Sequence, residues 1–264
     1  EIYNKYIKLP QNYDSDPHVK SVFNEIENTN NSFYLTGKAG TGKSTFIHYL
    51  TQKTKKKILL LSFTGIAAVN IGGQTIHSFF AFPFKPLLPK DVEIKTFLQH
   101  WTTYDVIRNV DMIIIDEVSM LRSDIMEAID HSLKINGGDN EKPFGGKQMV
   151  FVGDPYQLPP VVESTKINDE LFSTIYASEY FFDSPAFQML QPESIEFSKI
   201  HRQKDSEFIN ILNKIRDYSI TEDEIDYINS ICVKDDLIPN KDKKLEIRLS
   251  TNRFISKQEN FKRL

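Results

Sequence analysis

One cysteine, Cys232, and one tryptophan are all that 264 residues hold of those two types. A lone cysteine cannot close an internal disulfide, so a disulfide-stapled scaffold is excluded and a reducing compartment fits. Long hydrophobic runs are missing too. The longest aliphatic stretch, near Ile58–Ser62, falls far short of the ~20 residues that a membrane span needs. Glu1–Pro10 lacks the basic-then-apolar layout of a signal peptide, and these absences point to a soluble chain without a membrane partner. Neither charge dominates: 32 Lys plus Arg against 36 Asp plus Glu leave a net −4. That balance argues against coating nucleic acid by bulk attraction but permits a local basic groove. There is no repeat at solenoid periods and no low-complexity tract. The chain opens on Glu1 rather than methionine, so trimmed ends are expected.

What is present is enough apolar material, 40% of residues, to bury a core in one large domain or about two ordinary ones. Four near-continuous apolar runs, Asn31–Thr36, Lys57–Phe63, Asp111–Asp116 and Lys147–Gly153, read as strands buried on both faces of a parallel sheet. Between and after them, helices are expected at Lys43–Lys53, Gly65–Ile71, Ser123–Ile135 and Asn168–Ala177. In the third, Ile125, Ala128, Ile129 and Leu133 share one face. The fold class is thus α/β, a parallel sheet with helices on both faces. The expected division is a first domain over 1–78 and 96–192, a small insertion at 79–95, and the start of a second domain over 193–264. In the last, Glu193–Ile200 and Lys244–Thr251 read as strands, and Ser206–Tyr218 reads as a helix with Phe208, Ile211, Leu212 and Ile215 on one face. A final helical pattern covers Phe254–Leu264. The insertion gathers Phe79, Phe80, Phe82 and Phe84 with Pro83, Pro86 and Pro89. Three prolines exclude a helix or a central strand there.

The strongest chemical signal is Gly37-Lys38-Ala39-Gly40-Thr41-Gly42-Lys43-Ser44, a G-x-x-x-x-G-K-[ST] loop between an expected strand and an expected helix. Its glycines let backbone N–H groups wrap a phosphate at a helix N-terminus, and Lys43 neutralises β- and γ-phosphate oxygens. Thr45 comes next in the same stretch, and the Ser44 hydroxyl is placed to hold Mg²⁺. Ile113-Ile114-Ile115-Asp116-Glu117 delivers two acids at a strand end, the edge where α/β sheets bind ligands. Asp116 is expected to coordinate Mg²⁺ through water and Glu117 to polarise the attacking water. The turn Gly153-Asp154-Pro155-Tyr156-Gln157 ends the next strand, with Gln157 placed for a γ-phosphate and Asp154 to brace the loop. ATP is the expected nucleotide. The Asn-Lys-x-Asp base reader usual in GTPases is missing, since Asn240-Lys241-Asp242-Lys243 ends in lysine.

These motifs stand with Phe63-Thr64-Gly65-Ile66-Ala67-Ala68, Gly72-Gly73-Gln74-Thr75-Ile76-His77-Ser78-Phe79-Phe80, Asp116-Glu117-Val118-Ser119-Met120-Leu121, Pro143–Gln148 and His201-Arg202-Gln203. Together they closely resemble the petite-integration-frequency (PIF) family of DNA helicases, of superfamily 1B beside the RecD-like and Dda-like helicases. The resemblance implies a P-loop NTPase with a RecA-like first domain, a wedge insertion and a partial second RecA-like domain. It implies ATP-driven 5′→3′ movement on single-stranded DNA, with unwinding of duplexes, RNA–DNA hybrids and G-quadruplexes in genome maintenance, repair, recombination and at telomeres. By the same resemblance Arg202 is an arginine finger, or else a surface ion-pair residue. Thr64, Gly65, Ile66, His77 and Phe80 fall in the strand-contacting segment, His77 having packing as its alternative role. Pro86–Pro89 is the wedge tip, although the phenylalanines around it also suit a local core.

The expected partners are single-stranded DNA, single/double-strand junctions and G-quadruplex DNA, the protein acting as a monomer or as a dimer on DNA. Its location would be intracellular, in the cytoplasm or nucleoid of a bacterium or the nucleus or mitochondrion of a eukaryote. Two departures qualify the match. The adenine-reading glutamine of these helicases has no counterpart in Ser15–Ser21, which leaves Gln11 as its candidate. The later motifs of the second RecA-like domain are absent, so a module that binds nucleotide and DNA without coupled unwinding is the alternative.

Overall fold

All four apolar runs become strands of one six-stranded parallel sheet in the computed structural model, which describes residues 9–162, 170–201, 206–231, 254, 255, 257 and 258. The strands are β1 (Phe33–Thr36), β2 (Ile58–Ser62), β3 (Gln74–Thr75), β4 (Met112–Asp116), β5 (Gln148–Val152) and β6 (Glu193–Glu196), in the order β3-β2-β4-β5-β1-β6. Period-two alternation sorts their side chains. Ile113, Ile115, Met149 and Phe151 join one core, while Met112, Ile114, Val150 and Val152 join the other.

On the second of these faces lie α1 (Pro17–Asn28), α2 (Lys43–Lys53) and α3 (Gly65–Ile71), through Val19, Val22 and Ile26, Phe46 and Leu50, and Ile71. The opposite face carries α4 (Ile76–Phe80), α5 (Thr102–Asn109), α6 (Ser123–Ile135) and α7 (Pro185–Leu190). Asp16 caps α1 by accepting from the His18 and Val19 amides at 2.9 and 3.4 Å, with Pro17 at the first helical position. A chain of polar contacts ties the end of α1 to the sheet. Lys56 Nζ donates to the carbonyls of Ile26 and Thr29 and to Gln148 Oε1 at 2.6–2.7 Å. Gln148 Nε2 in turn donates to the Ile26 and Asn31 carbonyls.

Three expectations are corrected. The strand at 193 does not open a second domain: β6 pairs in parallel with β1, Phe33 opposite Glu193 through Thr36 opposite Glu196. The chain divides instead between Arg216 and Asp217, after α8 (Ser206–Arg216). Of the face expected on that helix, Ile211 is buried while Phe208, Leu212 and Ile215 stay partly exposed. Second, the insertion has no core of its own. Helix α4 crosses its expected start, and Phe79, Phe80, Phe82, Leu87, Ile94 and Phe97 all enter the main core. Third, of the helix expected at 168–177, Glu170 is helical and Leu171–Ile175 continues it as a single π turn, ending it two residues early, while 168 and 169 lie outside the described residues. The second unit contains α9 (Glu222–Ile231), opened by a capping box in which Thr221 and Glu224 each accept from the other's backbone amide. Lys244–Thr251 lies outside the described residues, as does most of Phe254–Leu264.

The irregular segment after α4 is stitched to α6 through two buried acceptors. Asp124 Oδ2 accepts from the Leu87 amide at 2.9 Å, and Asn136 Oδ1 accepts from the Phe97 amide at 2.6 Å. Asn136 Nδ2 also donates to the carbonyls of Lys95 and Ser132. Replacing Asn136 by alanine strands these buried groups and is expected to cost about 1–3 kcal/mol of stability. A denaturant melt of the variant beside the parent, compared at equal slope, measures it.

Candidate nucleotide site

At the C-terminal edge of the sheet, three strand ends deliver the site. The loop after β1 enters α2, whose N-cap Gly42 has φ 91° and ψ 13°. Gly37, at φ +146°, cannot be anything larger: a Cβ there would lie 2.3 Å from the Phe197 carbonyl oxygen. Lys43 Nζ donates back across the loop to the Gly37 and Lys38 carbonyls. Burial lowers its pKa, against the opposing pull of the Asp154, Glu117 and Asp116 carboxylates.

Asp116 ends β4 and is almost wholly buried, so its pKa is pushed up to about 6, chiefly by desolvation and then by neighbouring Glu117. Glu117 adopts left-handed backbone, φ 55° and ψ 42°, a strained conformation for a side-chain-bearing residue. Its amide donates to Asp116 Oδ1 at 3.0 Å. After β5, Asp154 is buried and accepts from the Tyr156 amide at 3.2 Å and from Gln157 Nε2 at 3.2 Å.

These groups converge on one cleft of about 380 Å³, lined by Ala39, Gly40, Thr41, Gly42, Lys43, Ser44, Thr45, Asp116, Glu117, Gly153, Asp154, Gln157 and His201. A second cavity of about 520 Å³ shares Thr41, Gly42, Thr45 and His201 with it and extends to Gln11, Tyr13, His18 and Phe197. Gln11 therefore lies beside the phosphate loop although it comes 26 residues before Gly37 in sequence. His201, whose amide donates to the Gly40 carbonyl at 2.8 Å, was not expected in the site; its only sequence signal is adjacency to Arg202. Arg202 itself lies outside the described residues. Among the described residues no group of three or more His, Cys, Asp or Glu side chains forms a metal cage. Ser44 and Asp116 line the cleft, and both carry side-chain oxygens, the donor type that Mg²⁺ prefers.

The segment expected to meet a strand is split. Thr64 caps α3 by accepting from the Ala67 amide at 3.2 Å, Gly65 is open on the side a Cβ would occupy, and Ile66 is exposed. Phe80 has no access to a strand: it is fully buried, stacked on Phe82 at 5.1 Å and edge-on to Phe79. Phe84 is the outward one, 93% exposed. Its ring stacks on His77 at 4.9 Å and 10°, and His77 meets Phe63 edge-on. Packing in this way, His77 has its pKa lowered by burial first. Pro86 is half-buried between Phe84 and Leu87 in sequence, with Pro89 exposed.

A parallel sheet with a glycine-rich phosphate loop after β1 and paired acids after β4 defines a P-loop NTPase of RecA-like fold. The family model described as PIF1-like helicase matches residues 16–226, and the chain belongs to that family. It is 36% identical over 202 residues to the ATP-dependent DNA helicase PIF1 of Candida albicans, covering 73% of this chain and 21% of that protein. It is 33% identical over 205 residues to the ATP-dependent DNA helicase Pif1 of Campylobacter jejuni, covering 75% and 43%. A Pif1 helicase from Bacteroides in complex with ADP-AlF₃ and single-stranded DNA superposes with a TM-score of 0.79 at 33% identity, over 98% of this chain and 57% of that one. This chain thus spans less than half the length of either curated relative. No described helix is long and apolar enough to cross a membrane.

Proposed function

We propose that this chain carries the ATP-hydrolysing first motor domain of a 5′→3′ DNA helicase that moves on single-stranded DNA. The observation that carries the reading is the convergence of Lys43, Ser44, Asp116, Glu117 and Gln157 on one cleft. Backbone N–H groups of the loop and Lys43 bind the β- and γ-phosphates, Glu117 orients and deprotonates the attacking water, and Gln157 contacts the γ-phosphate. Gln11, in the adjoining cavity, reads adenine. Mg²⁺ held by Ser44 and Asp116 would supply positive charge to the phosphate oxygens. Arg202 is assigned the role of arginine finger on its motif. The relatives' names and the nucleotide- and DNA-bound structures support this reading. Duplexes, junctions, RNA–DNA hybrids and G-quadruplexes are its proposed substrates, and genome maintenance its setting.

For the DNA, Thr64, Gly65 and Ile66 at the start of α3 are the proposed phosphate contacts, with the His77–Phe84 stack as a platform for a base and Pro86–Pro89 as the wedge. Phe84→Ala is expected to weaken single-stranded DNA binding by about 1–3 kcal/mol. Fluorescence anisotropy with labelled oligonucleotides measures it, and a steep fall in affinity with salt but little dependence on base sequence should accompany it.

The test of the whole reading is the steady-state ATPase rate of this chain with and without single-stranded oligonucleotide, beside a longer form carrying the segment into which its relatives continue. DNA stimulation of the longer form supports the motor, and stimulation of neither refutes it. The short span relative to the curated proteins favours a second reading, a module that binds nucleotide and DNA without coupling them. Stimulation confined to the longer form would assign that role to the present chain.

A further inference from the structure

Asp154, 1% exposed in its side chain, is held by an arginine that no phosphate-loop motif contains. Arg216, at the last turn of α8, donates from Nη2 to Asp154 Oδ1 at 3.0 Å and from Nε to Oδ2 at 3.3 Å. Its guanidinium carbon also sits 4.2 Å from the centre of the Tyr156 ring. The turn carrying Gln157 is therefore gripped twice, by a two-point ion pair and by a cation–π contact.

We propose that Arg216 is the positioning residue of the γ-phosphate-sensing turn: by neutralising Asp154 it leaves the Gln157 amide free to be given up to a phosphate. The proposal rests on the reading of Gln157 as the group that meets the γ-phosphate. Asp154 Oδ2 accepts from both Arg216 Nε and Gln157 Nε2. Remove the arginine, and the buried carboxylate, its ion pair lost, holds the Gln157 amide more tightly. A lysine replaces the charge but not the planar two-point fork. Arg216 is also the last residue of the first unit, with Asp217 beginning the second.

The test measures affinities of the whole chain for ADP and for the non-hydrolysable triphosphate AMP-PNP, both with Mg²⁺, and compares their ratio across variants. Arg216→Ala is expected to lower the preference for the triphosphate about tenfold or more, because the carboxylate left without its ion pair keeps the Gln157 amide from the γ-phosphate. Arg216→Lys should recover part of it. In a Gln157→Ala background, Arg216→Ala should change the preference by less than about twofold, the signature of two residues acting through one path. Equal weakening of both nucleotides by Arg216→Ala would mean a merely structural role and overturns the proposal, as does an effect undiminished in the Gln157→Ala background. If Gln157→Ala alone leaves the preference intact, the γ-phosphate reading of Gln157 fails first, and the proposal falls with it. Should Arg216→Ala not fold by circular dichroism, Arg216→Lys decides: a loss of preference of about threefold supports the grip and an unchanged preference overturns it.

Discussion

Glu117→Gln is expected to cut steady-state ATP hydrolysis by about 10²- to 10⁴-fold, the usual worth of a positioned general base, while ATP still binds. The amide matches the carboxylate in shape, and the left-handed backbone at this position places either side chain alike. What disappears is the proton acceptor. A second effect comes from charge: Glu117 is one of the groups that raises the pKa of Asp116, so removing it lowers that pKa. In the parent, Asp116 holds its proton up to about pH 6, so in the cation-binding role proposed for it, it should lose that capacity as pH falls through this value. In the variant this loss should shift to lower pH. Rapid-quench turnover beside equilibrium titration with ATP and Mg²⁺, at about pH 5.5 and 7.5 on either side of the ionisation, separates the two effects. Undiminished turnover would remove Glu117 from the chemistry.

Lys43→Ala should fail at an earlier stage. The ammonium lines the cleft with Asp154, Glu117 and Asp116 and is drawn by all three carboxylates. Without it a triphosphate faces those acids with less positive charge between them, and its β- and γ-oxygens lose a charge-assisted donor. Binding and turnover should both fall by at least about 10²-fold, comparable to removing one strong donor from a site of developing charge. The contrast is diagnostic: titration with a fluorescent ADP should show weakened affinity in Lys43→Ala and nearly parental affinity in Glu117→Gln. Parental affinity in both would separate the loop from phosphate binding.

How much of this could be read beforehand depended on whether the signal was local. The apolar runs at β1, β2, β4 and β5 and the helices at 43–53, 65–71 and 123–135 stand in the structure within two residues of the expected bounds. Each is fixed by its own hydrophobic pattern. Helix α1 was missed although its signal is local: Asp16-Pro17 is a start signal, and Val19, Val22, Phe23 and Ile26 fall at the i, i+3, i+4 and i+7 spacing of one buried face. Strand β6, assigned to the wrong unit, had no such local signal: Glu193-Ser194-Ile195-Glu196 is a short, polar edge strand whose partner lies 160 residues away, Phe33 opposite Glu193. In the site, the phosphate loop and the paired acids were legible because each is a contiguous motif. Which phenylalanine near the prolines faces outward was not, since irregular backbone has no period; Phe84 does and Phe80 does not. The pairing of Asp154 with Arg216 spans 62 residues and belongs to no motif.

The stitching of the segment after α4 has an engineering consequence. Asp124 and Asn136 grip it by the main-chain amides of Leu87 and Phe97, atoms that every residue except proline possesses. Anchors of this kind are blind to the identity of what lies between them. The stretch around Val92, 98% exposed, is in effect an interchangeable cassette on a fixed mount: foreign loops grafted between Lys90 and Glu93, with Leu87, Ile94 and Phe97 kept as apolar pegs, leave the core beneath undisturbed.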